Sequence, residues 1–159
     1  MAELWSRHVL DSLQLTRLIK VNDGEAADVG SGAGFPGLVL ALALDRHFYL
    51  VESDLRKAAF LTEAARLTHA NVTVVPRRAQ AAALSCRLIT ARAFASLDAT
   101  LNAVFGLLAP GAVCLLPKGR GVDAELVEAA KAWRMRVERF PSLTDSAATI
   151  LHVSEISRA

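Results

Sequence analysis

Short apolar runs alternate along the chain with longer stretches in which apolar residues recur every three or four positions. The short runs predict β-strands, at residues 26–29, 47–52, 72–75, 87–90 and 112–116. The longer stretches between them predict helices, at residues 36–44, from 54 to at least 68, 97–108 and 123–133. This alternation indicates a mostly parallel sheet covered by helices on both faces.

The two ends of the chain complete the predicted fold. Residues 6–19 predict an amphipathic helix before the first strand, and residues 135–140 and 149–156 predict two last strands. The short loop between those strands suits an antiparallel hairpin better than a crossover. We therefore predict an α/β, Rossmann-like fold with a seven-stranded, mostly parallel sheet and a C-terminal antiparallel hairpin. The expected organisation is one domain, residues 23–159, with an N-terminal helix, residues 1–22, packed on its core.

A glycine-rich turn follows the first predicted strand. Residues 28–37 have the sequence DVGSGAGFPG and lead into a predicted helix. Glycine permits positive φ angles and a close approach of a ligand to the main chain, and the helix N-terminus favours an anionic group. The third glycine of a dinucleotide fingerprint would fall at Phe35, so the turn departs from that pattern. Its order of one acid and three alternating glycines resembles the first motif of S-adenosylmethionine-dependent methyltransferases. In that setting the helix N-terminus suits the carboxylate of the cofactor, and Asp28 suits its ammonium, directly or through water.

Glu52 ends the second predicted strand, about twenty residues after the glycines. Nucleotide-binding α/β proteins place an acid at this position to bind the ribose hydroxyls. A carboxylate would repel a 2′-phosphate, which argues against NADP. The alternative is that Glu52 only caps the helix that begins near Asp54.

Three loops follow the third, fourth and fifth strands at the same predicted sheet edge, where ligands of such folds bind. They contain the sequences RRAQ at residues 77–80, TARAFASL at 90–97 and PKGR at 117–120. Basic residues in loops are usually only solvated. For Arg92 the alternative is an ion pair with Asp28 or Glu52.

The motifs together resemble one known family. Residues 5–13 (WSRHVLDSL), 28–37, 92–97 (RAFASL) and 118–119 are similar to the bacterial small-subunit rRNA methyltransferase family RsmG, also called GidB. The resemblance covers the chain from about Trp5 to its C-terminus. It implies transfer of a methyl group from S-adenosylmethionine to N7 of a guanine in 16S rRNA, known as guanine(527). The implied partner is 16S rRNA or the small ribosomal subunit. N7 has a free lone pair, so no general base is expected.

The resemblance also implies roles for individual residues. Arg92 and Lys118 are expected to act in catalysis by positioning the reactants, and no metal is expected. Where the family commonly has Glu, this chain has Gln80. The expected cofactor-binding residues are Asp28, Gly30, Gly32, Gly34, Phe35, Glu52, Ala79, Gln80 and Arg92, and the expected RNA-binding residues are Arg78, Arg92, Lys118 and Arg120.

The composition of the chain limits the partners and the cellular compartment that we expect for it. The net charge is +2, but residues 76–159 carry eleven basic and seven acidic side chains, which is compatible with a polyanionic partner. Two isolated cysteines make neither a disulfide framework nor a zinc site. No apolar stretch is long enough to span a bilayer, and the start lacks a signal-peptide layout. We therefore expect a cytoplasmic monomer without a membrane partner.

Two other functions remain open: a methyltransferase for a small molecule or a protein, and a non-catalytic RNA-binding or assembly module of the same fold.

Overall fold

The computed structural model describes residues 2–20 and 24–159, and in these residues seven strands form a single sheet. The strands follow the order β3-β2-β1-β4-β5-β7-β6. The neighbours from β3 to β5 are parallel, and β7 is antiparallel to both β5 and β6. The predicted sheet with its antiparallel hairpin is therefore confirmed. The strands are β1 (Ala26–Val29), β2 (Phe48–Val51), β3 (Val72–Val75), β4 (Cys86–Thr90), β5 (Leu108–Lys118), β6 (Trp133–Pro141) and β7 (Thr149–Arg158).

Helices connect the strands: α1 (Gly37–Leu44), α2 (Leu55–Thr68), α3 (Leu97–Val104) and α4 (Val122–Ala129). The predicted start of α2 near Asp54 is confirmed, and Asp54 is its N-cap, because the Asp54 carboxylate accepts from the N–H groups of Arg56 and Lys57 at 2.9 and 3.1 Å. The Ser96 hydroxyl caps α3 in the same way. No helix in the described part of the chain is long and apolar enough to cross a membrane.

Alternate side chains of each strand enter two separate cores, because successive residues of a strand face opposite sides of the sheet. Leu88 packs with α1, α2 and the N-terminal segment on one side, while its neighbour Ile89 packs with α3 and α4 on the other. Both are at most 1% exposed. The predicted helical layers on both faces are therefore confirmed.

The strand order reverses between β1 and β4. The chain runs from β1 outward through β2 to β3 and then returns to build β4 and β5 on the other side of β1. A crevice forms at the carboxyl ends of the two strands where such an order reverses, since the following loops leave in opposite directions. The glycine turn and residues 91–96 are those two loops.

The N-terminal segment differs from the single helix predicted for residues 6–19. It is helical in four short pieces with different hydrogen-bond spacing, Ala2–Leu4, Trp5–Leu10, Asp11–Leu13 and Gln14–Leu18. Leu15 is fully buried in the core with α1 and α2. The predicted domain boundary after residue 22 lies outside the described residues.

Two predicted helix ends were wrong. The helix predicted for residues 97–108 ends at Val104, and the chain joins β5 at Leu108, which pairs with Cys86. The ladder is irregular from there to Val113, and Pro110 and Gly111 lie inside β5. The helix predicted for residues 123–133 ends at Ala129.

Trp133 explains the second of these boundaries. Its indole N–H donates to Asp98, and its ring lies under the Arg158 guanidinium, 3.9 Å from it. The side chain is 2% exposed. These contacts place Trp133 in β6, where it pairs with Arg158.

The carboxylate of Asp28, at the end of β1, joins three elements of the fold. One oxygen accepts from the Thr90 hydroxyl at 2.7 Å, and the other accepts from the Gly37 N–H at 3.2 Å. Thr90 is the register partner of Asp28 in β4, and Gly37 begins α1. A Cβ at Gly37 would lie 2.4 Å from the Cβ of Asp28, so this contact requires glycine. Asp28 therefore fixes the position of the glycine turn relative to the sheet.

Burial raises the pKa of Asp28 from 3.8 to about 6, and the hydrogen bonds from Thr90 and Gly37 only partly oppose it. We predict that this shift makes stability depend on pH. Because the folded pKa is above the ordinary one, protonation favours folding, and this contribution is lost as the pH rises through 6. Relative to Asp28→Asn, the native protein should lose about 2 to 3 kcal/mol of unfolding free energy between pH 4 and 8, measured by urea unfolding.

Glu63→Gln is the matched control for this titration. Glu63 is exposed, and its hydrogen bond to Arg66 lowers its pKa, so its small contribution should change in the opposite direction, falling as the pH falls. A difference between native protein and Asp28→Asn that stays constant with pH would contradict the assignment.

Candidate active site

A first cavity of about 440 Å³ opens at the carboxyl ends of β1, β2 and β3. It is bounded by the glycine turn, by Glu52 and by the loop after β3. Its lining residues are Val29, Gly30, Gly32, Val51, Glu52, Ser53, Lys57, Arg77, Arg78, Ala79, Gln80, Ala93 and Phe94. The volume lies within the range of small-molecule sites.

Gly30 and Gly32 shape this cavity in different ways. Both have positive φ angles, 70° and 55°. A Cβ at Gly30 would lie 2.5 Å from Cδ2 of the Phe94 ring, so glycine is needed for that ring to pack on the turn. A Cβ at Gly32 would meet only the carbonyl oxygen of Gly30, at 3.8 Å, and would otherwise project into open space. Gly32 therefore keeps the cavity open.

The sequence led us to expect free N–H groups at the turn that could bind an anion, but three of them are bound within the protein. Those of Gly30 and Ser31 donate to the Val51 carbonyl oxygen at 2.9 and 3.2 Å. The Gly32 N–H donates to Glu52. In contrast, none of the described donors binds the Gly30 carbonyl oxygen. The turn therefore retains an acceptor next to Gly32, while these three donors are already bound by the protein.

Glu52 is 7% exposed and lines the first cavity. Its Oε2 accepts from the Gly32 N–H and its Oε1 from the Asp54 N–H, both at 2.9 Å. The two interpretations of Glu52 are therefore compatible: it supports the start of α2 and also faces the cavity. Each carboxylate oxygen has two lone pairs, so each retains capacity for a further donor.

A second cavity of about 560 Å³ adjoins the first. It lies between the N-terminal segment, the end of β5, α4 and the loop between β6 and β7. Ala93 lines both cavities and has a φ angle of 50°, which is uncommon for a residue with a side chain. The wall between the cavities is therefore made in part by a small residue in a strained conformation.

Arg92 holds the N-terminal segment against the second cavity. Its Nη1 donates to the Arg7 carbonyl oxygen at 2.8 Å and to Asp11 Oδ2 at 3.1 Å, and its Nη2 donates to His8 Nδ1 at 3.0 Å. The Arg92 and Asp11 side chains are 19% and 17% exposed. The ion pair of Arg92 is therefore with Asp11, and not with Asp28 or Glu52.

Phe35 joins the glycine turn to the same cluster. The His8 ring stacks on it with centroids 5.1 Å apart, and the Arg92 guanidinium lies 5.6 Å from its centroid. The fold thus brings together the N-terminal motif, the glycine turn and the segment after β4. Since guanidinium only donates, His8 Nδ1 accepts from Arg92, which leaves the proton of a neutral His8 on Nε2.

Lys118, at the end of β5, is 10% exposed and already paired. Its ammonium lies 2.8 Å from Glu125 Oε2 and donates to the Ala95 carbonyl oxygen at 2.7 Å. Glu125 Oε2 also accepts from the Leu97 N–H at 2.7 Å. Both charged side chains line the second cavity.

The structure divides the predicted site residues into three groups. The first cavity is lined by Gly30, Gly32, Glu52, Arg78, Ala79 and Gln80, and the second by Arg92 and Lys118. Neither lining includes Asp28, Gly34, Phe35 or Arg120. Gly34 is needed for packing, since a Cβ there would lie 2.9 Å from the Cβ of Leu38.

Several lining residues were not predicted. Phe94 lay inside the RAFASL motif, and His8 and Asp11 lay inside the N-terminal motif, so the motifs pointed to these three positions without assigning them a role. Glu125 had no such signal, because an acid in the first turns of a helix is common for electrostatic reasons alone.

Comparison with known proteins agrees with this geometry. A family model described as rRNA small subunit methyltransferase G matches residues 1–152. The ribosomal RNA small subunit methyltransferase G of Acidiphilium cryptum (strain JF-5) is 54% identical over 160 residues, which cover 99% of this chain and 74% of that protein.

Solved structures share the fold at low sequence identity. A SAM dependent methyltransferase from Aquifex aeolicus matches with a TM-score of 0.71 and 13% identity, over 96% of this chain and 92% of that one. TYW2 from M. jannaschii, solved in complex with AdoMet, matches with a TM-score of 0.68 and 13% identity, over 96% and 76% of the two chains. The predicted fold class is therefore confirmed.

We predict that Arg92→Lys loosens the N-terminal segment. Lysine retains the charge but lacks the planar group that donates to Arg7, His8 and Asp11 together. The variant should lose about 1–3 kcal/mol of unfolding free energy, as expected for a mostly buried, hydrogen-bonded charge pair. Amide hydrogen exchange in residues 5–13 should become at least several-fold faster.

Arg66→Lys is the control, because Arg66 makes a comparable two-bond contact with Glu63 on the exposed face of α2. It should leave both stability and exchange in residues 5–13 unchanged. Unchanged exchange there in Arg92→Lys would show that other contacts hold the segment.

Proposed function

This chain belongs to the rRNA small subunit methyltransferase G family, and from that premise we propose that it transfers a methyl group from S-adenosylmethionine to N7 of a guanine in 16S rRNA. The family resemblance found in the motifs is thereby confirmed. The observation that carries the proposed reaction is the pair of cavities that meet at Ala93. Methyl transfer needs a donor site and an acceptor site that open to each other.

The first cavity fits S-adenosylmethionine better than a dinucleotide. A pyrophosphate needs free N–H donors, but those of Gly30, Ser31 and Gly32 are bound within the protein. The unbound Gly30 carbonyl oxygen suits an ammonium group, which only donates. We assign the ribose to Glu52, whose carboxylate retains acceptor capacity, and the adenine to the lining formed by Ala79 and Gln80.

In this proposal Asp28 supports the glycine turn and does not line the cofactor cavity. Its carboxylate is fully buried between Thr90 and Gly37 and is not part of the cavity lining. It therefore supports cofactor binding by holding the turn in position. Gly34 and Phe35 also act by packing, Gly34 against Leu38 and Phe35 against the His8 ring.

When bound, S-adenosylmethionine supplies a methyl group on a positively charged sulfur. The chain's own task is to place guanine N7 in line with that methyl group. N7 carries a lone pair and no proton, so no residue has to act as a base. Positioning two reactants is by itself a large contribution to rate. Arg92 and Lys118 position the acceptor, since both line the second cavity and both are fixed by protein contacts.

RNA phosphates are the proposed ligands of the basic groups around the cavities. Arg78 is exposed at the first cavity, and Arg120 is exposed in the turn after β5, beyond the lining of the second. Such contacts orient the RNA and make its binding depend on salt. The proposed partner is 16S rRNA or the small ribosomal subunit, which places the reaction in the cytoplasm.

The proposed reaction can be tested with small subunits and naked 16S rRNA that lack the modification. Methyl-labelled S-adenosylmethionine should label the RNA at one guanine. Borohydride and aniline treatment, which cleaves RNA at N7-methylguanine, should cut the labelled RNA there. The control is RNA with adenine at that position, which should remain unlabelled.

The open alternatives give different results in this experiment. Label on an exocyclic amine would contradict the N7 assignment, and label on a ribosomal protein or a small molecule would contradict an RNA acceptor. RNA binding without cofactor binding, measured by calorimetry on folded protein, would indicate a non-catalytic module.

We predict that Gly32→Ala weakens S-adenosylmethionine binding at least tenfold by calorimetry, because the added methyl group projects into the first cavity. Gly121→Ala is the matched control. Gly121 also has a positive φ angle, 89°, and open space around its Cβ position, but it is the N-cap residue before α4 and lies outside the lining of both cavities. Each substitution should cost about 1 kcal/mol of stability through backbone strain.

Only Gly32→Ala should lose cofactor affinity. Equal affinity in the two variants would show that the cofactor does not bind at this turn.

A further inference from the structure

We propose that Lys118 and Glu125 together recognise the target base, with Lys118 donating to guanine O6 and Glu125 accepting from guanine N1–H. This inference rests on the proposed function, because it assigns the base-recognition group of the same acceptor site. It adds Glu125, on α4, to the residues that determine which base is methylated.

The Lys118–Glu125 pair presents a donor and an acceptor side by side. The Lys118 ammonium and Glu125 Oε2 are 2.8 Å apart, and both side chains line the second cavity. They are 10% and 30% exposed, so they are held by the protein and still accessible from the cavity. A fixed pair of this kind recognises a neighbouring acceptor and donor on one edge of a base.

Each member of the pair has unused hydrogen-bonding capacity. The Lys118 ammonium has three N–H groups and makes two described contacts, with Glu125 and with the Ala95 carbonyl oxygen. Glu125 Oε2 binds Lys118 and the Leu97 N–H, whereas no described donor binds Oε1. Lys118 can therefore donate one more hydrogen bond, and Glu125 can accept one more at Oε1, without losing an existing contact.

Asp11, another acid in the lining, is less suited to this role. Its Oδ1 accepts from Gln14 and Thr144, and its Oδ2 accepts from Arg92. Both of its oxygens are thus engaged in holding the N-terminal segment and the loop between β6 and β7.

The bases differ in whether they match this pair. Guanine and uracil present a carbonyl acceptor next to a ring N–H donor, whereas adenine and cytosine present the reverse order. Opposite the Lys118–Glu125 pair, adenine or cytosine would place donor against donor and acceptor against acceptor, which is costly in a partly buried site. Of the two matching bases, only guanine has a basic ring nitrogen beside its carbonyl, namely N7. The pair therefore favours guanine as the acceptor.

The order of the contacts along the chain supports an orientation of the base with N7 toward the first cavity. The segment that begins at Ala93, on the wall between the cavities, binds Lys118 at Ala95 and Glu125 at Leu97. Along this segment from Ala93 to Leu97, the residue that binds the donor Lys118 comes before the residue that binds the acceptor Glu125. On guanine the order is N7, then O6, then N1–H. The proposal therefore orients the base with O6 at Lys118, N1–H at Glu125 and N7 toward Ala93.

The inference is tested by changing Glu125 and the base together. Small subunits are reconstituted with 16S rRNA that carries either guanine or 2-aminopurine at the target position. 2-Aminopurine keeps N7 but lacks O6, and its N1 is an acceptor. In Glu125→Gln the side-chain oxygen can still accept from Leu97, and its amide group donates toward the base. We expect the ratio of kcat/KM for guanine to that for 2-aminopurine to fall at least about tenfold, the effect of one exchanged hydrogen bond.

Two control variants separate base recognition from folding. Glu128→Gln changes an exposed acid of α4 that pairs with Lys131, and its ratio should equal that of the native protein. Glu125→Asp keeps the acceptor and should keep the preference for guanine. Unfolding temperature and affinity for S-adenosylmethionine, measured for each variant, should stay close to native values.

Lys118→Met provides a second, independent test. It removes the donor to O6, so it should reduce kcat/KM for guanine more than for 2-aminopurine, which has no O6. A native base ratio in folded Glu125→Gln and Lys118→Met would overturn the inference while leaving the proposed function intact. In contrast, native protein that transfers no methyl group to guanine N7 would overturn the proposed function itself.

Discussion

The arrangement of the candidate site depends on one buried carboxylate. Asp28 is fully buried and accepts from Thr90 of β4 and from Gly37 at the start of α1. Burying a carboxylate is costly, as its raised pKa shows. The gain is positional, because the end of β1, the end of β4 and the beginning of α1 meet at a single side chain. Both loops of the strand-order reversal therefore leave the sheet in a fixed relation.

Glu52 completes this constraint from the neighbouring strand. Glu52 accepts from the Gly32 N–H within the turn, while Asp28 accepts from the Gly37 N–H at the end of the turn. The consequence is chemical as well as structural. Two acids and the Val51 carbonyl oxygen bind the N–H groups of Gly30, Ser31, Gly32 and Gly37, so these four donors are not available to a phosphate, while the Gly30 carbonyl oxygen and Glu52 retain acceptor capacity. Under the proposed function, the same residues that hold the turn also favour a cationic cofactor over a phosphate.

The sequence predicted those features that depend on local patterns. Apolar runs predicted the strands, Asp54 predicted the start of α2, and the glycines with Glu52 predicted where the first cavity lies. Contacts between distant segments were not predictable from one sequence, since periodicity carries no information about partners. Arg92 pairs with Asp11, whose position differs by 81 residues, and Lys118 at the end of β5 pairs with Glu125 of α4 across the turn that joins them. Trp133 left its predicted helix for the same reason, because its partners Asp98 and Arg158 lie far away in sequence.

Ala93 is the point where these constraints combine. A positive φ angle at alanine is unfavourable by about 1–2 kcal/mol, so its neighbours must hold it in place. On one side Arg92 is fixed by Arg7, His8 and Asp11 of the N-terminal segment, and on the other Phe94 packs on Gly30. Displacing either neighbour would change the wall between the two cavities. The N-terminal segment therefore helps to set the geometry of both cavities, because its contacts with Arg92 determine how the second cavity meets the first.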